Sequence, residues 1–185
     1  SYKVDGPLDL RLNPEQGESA AERLKNITHE EFVNMMQENS DEPYAVEIAK
    51  VVFDDMRRGK YIETTTDLKR AIEKALVYVP AKERTEAVKK SCARVFQALR
   101  IDVNSEFEVL YEFLEKLPDV LNFGARVAIL TFHSGEDRLG KKSFKQLARE
   151  GIYSEVSDEV IRPTAAECAR NPRAKSTKLR WAIKA

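Results

Sequence analysis

The chain of 185 residues has little glycine, little cysteine and no long apolar run. Its seven glycines form no G-x-G or G-x-G-x-x-G pattern, so it carries no glycine-rich dinucleotide-binding fingerprint. Cys92 and Cys168 are far apart and form no CxxC pair, which favours two free thiols over a metal site. No apolar stretch approaches the about 20 residues that a membrane helix needs, and the first residues contain no apolar signal core. We therefore expect neither a membrane protein nor an exported one.

Charge is balanced overall but unevenly distributed. The sequence holds 31 Lys and Arg against 31 Asp and Glu. Residues 138–185 contain 12 basic residues against 5 acidic ones, whereas residues 1–137 contain 19 against 26. The net charges are thus +7 and −7, and a basic carboxyl-terminal region is typical of a surface that binds RNA phosphates. The alternative is a lysine-rich face that is only solvated.

Helical patterns fill the chain from about residue 18 to about residue 117, after a loop rich in proline and glycine. Capping boxes, in which a Ser or Thr precedes an acidic residue by three positions, begin at Ser19, Thr28, Thr64 and Ser105. A further apolar stripe between Ser40 and Arg58 predicts a helix that Gly59 ends. Pro118 is predicted to end the last helix of this region.

The pattern changes after Gly124. Residues 126–132 read RVAILTF, a short apolar run that predicts a strand buried on both faces, as in a parallel sheet. A helix is predicted from about Glu136 to Glu150, and further strands at 156–161 and 179–184. The chain is therefore predicted to be a helical module followed by part of an α/β sheet.

Several polar side chains directly follow the first predicted strand. Ligands of open α/β sheets bind beyond the carboxyl ends of the strands, so His133, Ser134, Glu136, Asp137 and Arg138 are predicted to line the rim of a crevice. The imidazole of His133 could donate a hydrogen bond to a substrate oxygen or take a proton. The alternative is that His133 is structural and that the acidic and basic residues after it form the first turn of a helix.

A second polar cluster lies near the start of the chain. Gly6 and Pro7 favour a tight turn that could aim the carboxylates of Asp5 and Asp9 in one direction. Carboxylates can accept hydrogen bonds from an exocyclic amine such as N4 of cytosine. The alternative is a structural turn in which an aspartate of this cluster forms an ion pair with Arg11.

Two further groups are candidates for RNA contacts. Arg100 and Asn104 are four residues apart on one predicted helix and can share a polar face, although such a face is often only solvated. Residues 171–180 read NPRAKSTKLR, a composition suited to phosphate oxygens. The candidates in this block are Asn171, Arg173, Lys175, Ser176, Lys178 and Arg180.

Four blocks of the sequence together resemble the ribosomal RNA small-subunit methyltransferase H family, also called MraW. The blocks are DGPLDLR at 5–11, FQALRIDVN at 96–104, TFHSGEDR at 131–138 and the basic block at 171–180. Leu10, Thr131 and Gly135 depart from the family pattern, which has Met, Ser and Leu there. Gly135 is expected to add backbone freedom, which would make the crevice either looser or differently shaped.

The resemblance implies a fold, an activity and a cofactor. The implied fold is a partial doubly wound, Rossmann-like methyltransferase sheet with an inserted all-α helical domain. In these terms residues 1–17 are a motif loop, 18–101 the helical insert and 102–185 the carboxyl-terminal part of the α/β domain. The implied activity is methyl transfer from S-adenosylmethionine to N4 of a cytidine in 16S ribosomal RNA, in the cytoplasm. Asp5, Asp9, His133 and Glu136 would be catalytic, and the polar and basic candidates, Arg11 among them, would bind RNA.

The family's glycine-rich cofactor loop precedes the DGPLDLR block, and this sequence begins close to that block. We therefore expect a substrate-side piece of a longer enzyme, whose S-adenosylmethionine site lies mostly outside this chain. The main alternative is a non-catalytic RNA-binding or ribosome-assembly module derived from the family. A weaker alternative is a helical protein-interaction module. An incomplete sheet would leave an unpaired edge, which predicts dimerisation or domain swapping.

Overall fold

The protein is mostly helical, with a small β-sheet. The computed structural model describes residues 2–185, which divide into two compact units, one up to Glu106 and one from Phe107 onward. The helices of the first unit are α1 (Ala20–Asn26), α2 (His29–Ser40), α3 (Ala45–Arg57), α4 (Thr65–Ala75) and α5 (Ala81–Val103). None of the described helices is both long enough and apolar enough to cross a membrane.

Three of the predicted capping boxes start helices of the first unit. The side chains of Ser19, Thr28 and Thr64 accept from backbone amides three residues later, and the acidic side chains at those positions accept in return. Each box satisfies two amides that a helix start leaves without an intrahelical partner. These predictions are confirmed.

Two predicted helix boundaries are wrong. α2 ends at Ser40, because Asp41 takes a left-handed conformation with φ 52°, and α3 begins only at Ala45. The helix α6 (Glu106–Val120) runs through Pro118 instead of ending there. A proline in the last turn removes a single helical hydrogen bond, and here its ring is buried.

The core of the first unit comes from apolar stripes on all five helices. Phe32, Met36, Ile48, Leu68 and Leu99 are among its fully buried side chains. Burying a side chain of this size contributes about 1.5–3 kcal/mol relative to leaving it exposed. This packing provides the rigid support for the loop that precedes α1.

The second unit is a three-stranded sheet with helices. Its elements after α6 are β1 (Arg126–Thr131), α7 (Ser134–Arg149), β2 (Tyr153–Val156), α8 (Ala165–Arg170), a short 3-10 helix (Pro172–Ser176) and β3 (Lys178–Lys184). The strand order is β1-β3-β2, and β3 is antiparallel to both neighbours. The core includes Leu114, Leu117, Phe144, Tyr153 and Ala182.

The prediction that the first strand is buried on both faces in a parallel sheet is wrong. β1 is antiparallel to its neighbour β3, and its residues alternate between exposed and partly buried up to Thr131. Leu130 keeps 53% of its surface exposed. An apolar run hides this alternation, because Val127 and Ile129 point to the core while Ala128 and Leu130 are also apolar.

Predictions for the remaining elements of this unit are mixed. The predicted helix near 136–150 and the last strand are confirmed as α7 and β3. The predicted strand at 156–161 is displaced, because β2 ends at Val156 and Ile161 forms only an isolated bridge to Leu179. The register pairs Thr131 with Lys178, so the carboxyl end of β1 lies beside the amino end of β3. Two of the four motif blocks therefore meet at this edge of the sheet.

Candidate functional site

The loop before α1 is held by backbone hydrogen bonds along most of its length. The amide of Leu8 donates to the carbonyl of Glu63 at 2.9 Å, and its carbonyl accepts from Ala21. The carbonyl of Asp9 accepts from the amide of Ala20 at 2.7 Å. The loop therefore presents Asp5, Asp9 and Arg11 on a fixed backbone.

Asp5 is exposed and lies at the amino terminus of α4. Hydrogen bonds from the Thr66 hydroxyl, the Thr66 amide and the Thr64 hydroxyl hold the pKa of Asp5 below its ordinary value. The positive end of the α4 dipole favours the same ionised form. Asp5 is thus a carboxylate, and so an acceptor, at neutral pH.

Asp9 is paired with Arg11, as the sequence alternative proposed. The Nε of Arg11 donates to Oδ1 of Asp9 at 2.7 Å, and Nη2 donates to Oδ2 at 2.9 Å. These bonds lower the pKa of Asp9, while Nη1 of Arg11 donates to the carbonyl of Gly17. The side chain of Asp9 remains 38% exposed, so it stays ionised and reachable from solvent.

Arg100 and Asn104 have different surroundings at the end of α5. Arg100 pairs with both carboxylate oxygens of Glu106, at 2.8 and 3.1 Å, and stays 45% exposed. Asn104 turns its amide toward the loop, where Nδ2 donates to the carbonyl of Leu10 and Oδ1 accepts from the amide of Leu12. The motif blocks at 5–11 and 96–104 are therefore in direct contact within the first unit.

His133 and Glu136 lie together at the start of α7. Nδ1 of His133 accepts from the amide of Glu136 at 3.5 Å, and Nε2 lies 3.5 Å from Oε1 of the same residue. Oε2 of Glu136 reaches back to accept from the amide of Phe132 at 3.0 Å. An accepting Nδ1 leaves the proton of the neutral ring on Nε2. The pair therefore both caps the helix and places an imidazole at the end of β1.

Of the two expectations for Gly135, a looser or a differently shaped crevice, the structure favours the second. Gly135 is buried in the first turn of α7, and a Cβ there would lie 2.5 Å from Cζ of Phe107 and 3.2 Å from Nδ1 of His133. The ring of Phe107, whose centroid is 5.9 Å from that of His133, fills the space that a side chain would occupy. The absent side chain is replaced by aromatic packing, so this turn is filled.

The basic block divides into internal and exposed residues. Arg180 is buried and gives two hydrogen bonds to Asp137, and Lys178 lies 3.8 Å from the same carboxylate. Asn171 caps the 3-10 helix by accepting from the amide of Arg173. The side chains of Arg173, Lys175 and Ser176 are exposed. The exposed members and Lys178 thus remain candidates for phosphate, whereas Arg180 is committed to Asp137.

Ser134 and Arg138 are both exposed at the start of α7. Ser134 is the first residue of the helix, and Arg138 follows the buried Asp137. The prediction that Asp137 lines the rim is wrong, because its carboxylate is buried against Arg180, and sequence reasoning missed both this ion pair and the packing role of Phe107. No local pattern identifies these two roles, because Asp137 contacts Arg180 and Phe107 packs at Gly135, and the members of each pair are distant in sequence.

Comparisons with known proteins agree with the motif blocks. A family model described as the MraW methylase family matches residues 1–185. "Ribosomal RNA small subunit methyltransferase H 1" of Lachnoclostridium phytofermentans is 68% identical over the whole chain, which covers 50% of that relative. The protein of the same name from Agathobacter rectalis is 61% identical, again over the whole chain and 53% of the relative.

A more distant relative extends the match. "Ribosomal RNA small subunit methyltransferase H" of Fervidobacterium nodosum is 37% identical over 98% of this chain and 58% of its own length. The chain thus spans about half the length of the curated relatives it matches. A family model that covers every residue, together with relatives of this similarity, settles the assignment: the chain belongs to the MraW methylase family.

Proposed function

We propose that this chain is the substrate-facing part of an S-adenosylmethionine-dependent methyltransferase that acts on N4 of a cytidine in 16S ribosomal RNA. The names of the relatives support an RNA substrate from the small ribosomal subunit. The observation that carries the proposal is the loop at 5–11, where two carboxylates are held ionised and remain accessible. We propose that this activity takes place in the cytoplasm, where a substrate from the small ribosomal subunit would be met.

The carboxylates are suited to orient the substrate. Asp5 and Asp9 both have lowered pKa values, so at neutral pH each is an acceptor and a weak base. A general base works best when its pKa is near the working pH, and the pKa values of these two carboxyl groups lie far below it. We therefore propose that the carboxylate of Asp9, with that of Asp5, accepts a hydrogen bond from the exocyclic amine and thereby aligns the lone pair of the amine nitrogen.

His133 and Glu136 are proposed as the polar groups of the second unit. Their position at the end of β1 gives a carboxylate that could contact a base or a ribose, supported by the imidazole of His133, whose Nε2 is buried and lies 3.5 Å from Oε1 of Glu136. Phe107 packs against His133 and restricts the ring to one orientation. Ser134 and Arg138, both exposed in the next turn, extend the same polar surface toward the RNA backbone.

The basic segment is proposed to bind phosphate. Arg173 and Lys175 project from a short 3-10 helix that Asn171 caps, and Ser176 and Lys178 follow them. Charged groups of this kind supply affinity that depends on salt but not on sequence. Arg11 and Arg100 are proposed to contribute from the first unit with the donors that their carboxylate pairs leave available.

The residues of this chain do not fit S-adenosylmethionine by themselves. No glycine pair of the sequence forms a close-approach loop, and the first turn of α7 is occupied by its own His133 cap and by the ion pair of Asp137. We therefore assign no cofactor contact to the described residues. In the proposal the cofactor is held mostly by the part of the enzyme that the longer relatives contain in addition.

The proposal includes a fold for the whole enzyme. Strands β1 and β2 run in the same direction on either side of β3, and α7 connects them, as in one β-α-β crossover of a doubly wound sheet. We propose that the helical unit corresponds to an inserted all-α domain over residues 18–101, and that residues 102–185 belong to the α/β domain.

We also propose that the chain by itself forms a homodimer. Among the described residues β1 has a strand neighbour on one side only, and its free edge carries unpaired backbone groups that favour pairing with another strand. Light scattering at high protein concentration should give the mass of a dimer. A monodisperse monomer would contradict this part of the proposal.

A salt titration tests RNA binding. Affinity for a small-subunit RNA hairpin should fall with salt, and the Arg173→Ala/Lys175→Ala variant should bind more weakly and reduce the slope of log K against log salt by about 2. The matched control is Lys60→Ala/Lys82→Ala, which removes the same charge from exposed positions of the helical unit. Equal behaviour of the two variants across the series would refute the proposed phosphate contacts.

The alternative of a non-catalytic RNA-binding module makes a different prediction. It shares the basic segment but needs no ionised carboxylates on the loop. Asp5→Asn and Asp9→Asn should abolish methyl transfer in the full-length enzyme if the carboxylates align the amine. Unchanged transfer together with weakened RNA binding by the basic-segment variant would favour the alternative role for these residues.

A further inference from the structure

The side chain of Asn104 bridges two backbone groups of the loop that carries Asp9 and Arg11. Nδ2 donates to the carbonyl of Leu10 at 2.9 Å, and Oδ1 accepts from the amide of Leu12 at 2.8 Å. Nδ2 also donates to the carbonyl of Arg100 at 2.8 Å, which ties the amide to the end of its own helix. Asn104 thus links the loop to α5 across more than ninety residues of sequence.

The backbone directly before these two contacts is in an unfavourable conformation. Leu10 has φ 65°, in the left-handed region, where an aliphatic residue with a Cβ is uncommon. The other described non-glycine residues with positive φ are Asp41 and Ser105. Such a conformation persists only where the surroundings fix it. The carbonyl of Asp9, which accepts from the amide of Ala20, and the carbonyl of Leu10, which accepts from Nδ2 of Asn104, lie on either side of Leu10 and supply that constraint.

The left-handed residue sets the geometry of the ion pair. It turns the chain between Asp9 and Arg11, so that the guanidinium folds back onto the carboxylate two residues earlier. On the other side of the turn the carbonyls of Leu8 and Asp9 are fixed by α1. The loop is therefore anchored to α1 before Leu10 and to Asn104 after it.

We propose that Asn104 is a positioning residue, which holds the left-handed turn at Leu10 and thereby sets the carboxylate of Asp9 against Arg11 for use on the RNA substrate. It acts through Asp9 and does not itself need to touch RNA. The structural half of this inference stands on the contacts of the first unit, and the functional half rests on the proposed role of Asp9. The proposal also gives a physical reason why the blocks at 5–11 and 96–104 occur together.

The structural half is tested by the ionisation of Asp9. Carboxyl NMR titration of the wild-type chain should place the pKa of Asp9 below its ordinary value of about 3.9, and Asn104→Leu should raise it toward that value. Asp54, whose pKa is lowered by Arg57 on α3, is the internal control and should not change. An unchanged Asp9 with unchanged Asp54 would overturn the proposal. A rise in the pKa values of both aspartates would show general unfolding, and amide exchange at Leu12 in Asn104→Asp would then decide.

Asn104→Asp removes the hydrogen-bond donor of the side chain but keeps an acceptor and the size of the residue. Its carboxylate can still accept from the amide of Leu12, but it has no donor for the carbonyl of Leu10. The exchange of the Leu12 amide should remain slow in Asn104→Asp and become fast in Asn104→Leu. The Leu12 side chain is 78% exposed, so burial of the residue does not protect this amide. Fast exchange already in the wild type would contradict the bridge.

The functional half is tested by combining variants. If Asn104 acts through Asp9, then Asn104→Leu and Asp9→Asn should each reduce methyl transfer in the full-length enzyme, mainly through kcat. The double variant should be no worse than Asp9→Asn alone. Additive losses would overturn positioning through Asp9. If Asp9→Asn has no effect while Asn104→Leu still shifts the pKa of Asp9, the proposed function fails and the structural bridge remains.

Discussion

Arg180 of β3 and Asp137 of α7 form a buried, two-pronged ion pair that joins the motif block after β1 to the basic block. Nε donates to Oδ1 at 2.7 Å and Nη2 to Oδ2 at 3.2 Å, and the side chains are only 8% and 10% exposed. Residues 171–180 contain four lysines and arginines, which the sequence pattern does not distinguish from one another. Burial separates Arg180, which stabilises the fold, from Arg173 and Lys175, which are exposed.

Removing one partner of this pair should destabilise the second unit. Asp137→Asn leaves a buried guanidinium without its counter-charge, which costs about 3 kcal/mol or more. Trp181, the only tryptophan, lies next to Arg180 in β3, so its fluorescence during urea unfolding reports on this unit. Glu112→Gln, which breaks an exposed pair with Lys116 on α6, is the control and should leave the transition in place. Equal transitions for both variants would contradict a structural role for Arg180.

Two glycines of α7 should respond oppositely to alanine. Gly140 has open space around its missing Cβ, so Gly140→Ala should raise the free energy of unfolding by about 0.5–1 kcal/mol through helix propensity. Gly135→Ala should lower it, because the new Cβ meets the ring of Phe107. The double variant Phe107→Ala/Gly135→Ala should lose less stability than the sum of the two single losses, because removal of the ring relieves its clash with the new Cβ. Thermal unfolding of the wild type, the three single variants and the double variant measures these differences.

Acid should destabilise the helical unit through its ionised carboxylates. The pKa values of Asp5, Asp9, Glu22 and Glu31 are lowered in the folded chain. A lowered folded-state pKa contributes stability above the unfolded pKa, near pH 4, and this stability disappears as the pH falls through the folded value. Urea unfolding between pH 6 and pH 2 should show this decline. Asp9→Asn should flatten it, and a stability that is independent of pH in this range would refute the ionised loop.

The two thiols should differ strongly in reactivity. Cys92 is buried in the first unit, and burial raises its pKa to about 11, so only about one molecule in a thousand carries the thiolate at pH 8. Cys168 is partly exposed. Iodoacetamide at pH 8, followed by peptide mass spectrometry, should label Cys168 first and Cys92 only after denaturation. Equal native rates would contradict the packing of α5.

Local signals in the sequence predicted the helical unit well. The capping boxes at Ser19, Thr28 and Thr64 identify helix starts because both partners lie within four residues. Asp41, by contrast, ends α2 by adopting a left-handed conformation, which the flanking residues do not predict. Pro118 predicts a helix end, but a proline in a last turn costs little and α6 continues through it.

The strand direction and the site contacts could not be predicted from local patterns. An uninterrupted apolar run at Val127–Leu130 is compatible with burial on one face or on both. Asp9 with Arg11 and His133 with Glu136 were recognised as groups because they are neighbours in sequence. The links from Asn104 to Leu10 and from Asp137 to Arg180 depend on tertiary folding, and short-range spacing carries no information about them.

Ultraviolet crosslinking of the chain to small-subunit ribosomal RNA, with mass-spectrometric mapping of the linked peptides, tests the central claim most directly. The account predicts crosslinks in three segments: residues 5–11, 131–138 and 171–178. Each should weaken with increasing salt, and the links in the last segment should be lost in Arg173→Ala/Lys175→Ala but not in Lys60→Ala/Lys82→Ala. Crosslinks confined to other parts of the chain, such as α2 and α3, would contradict an RNA-facing role for the motif blocks.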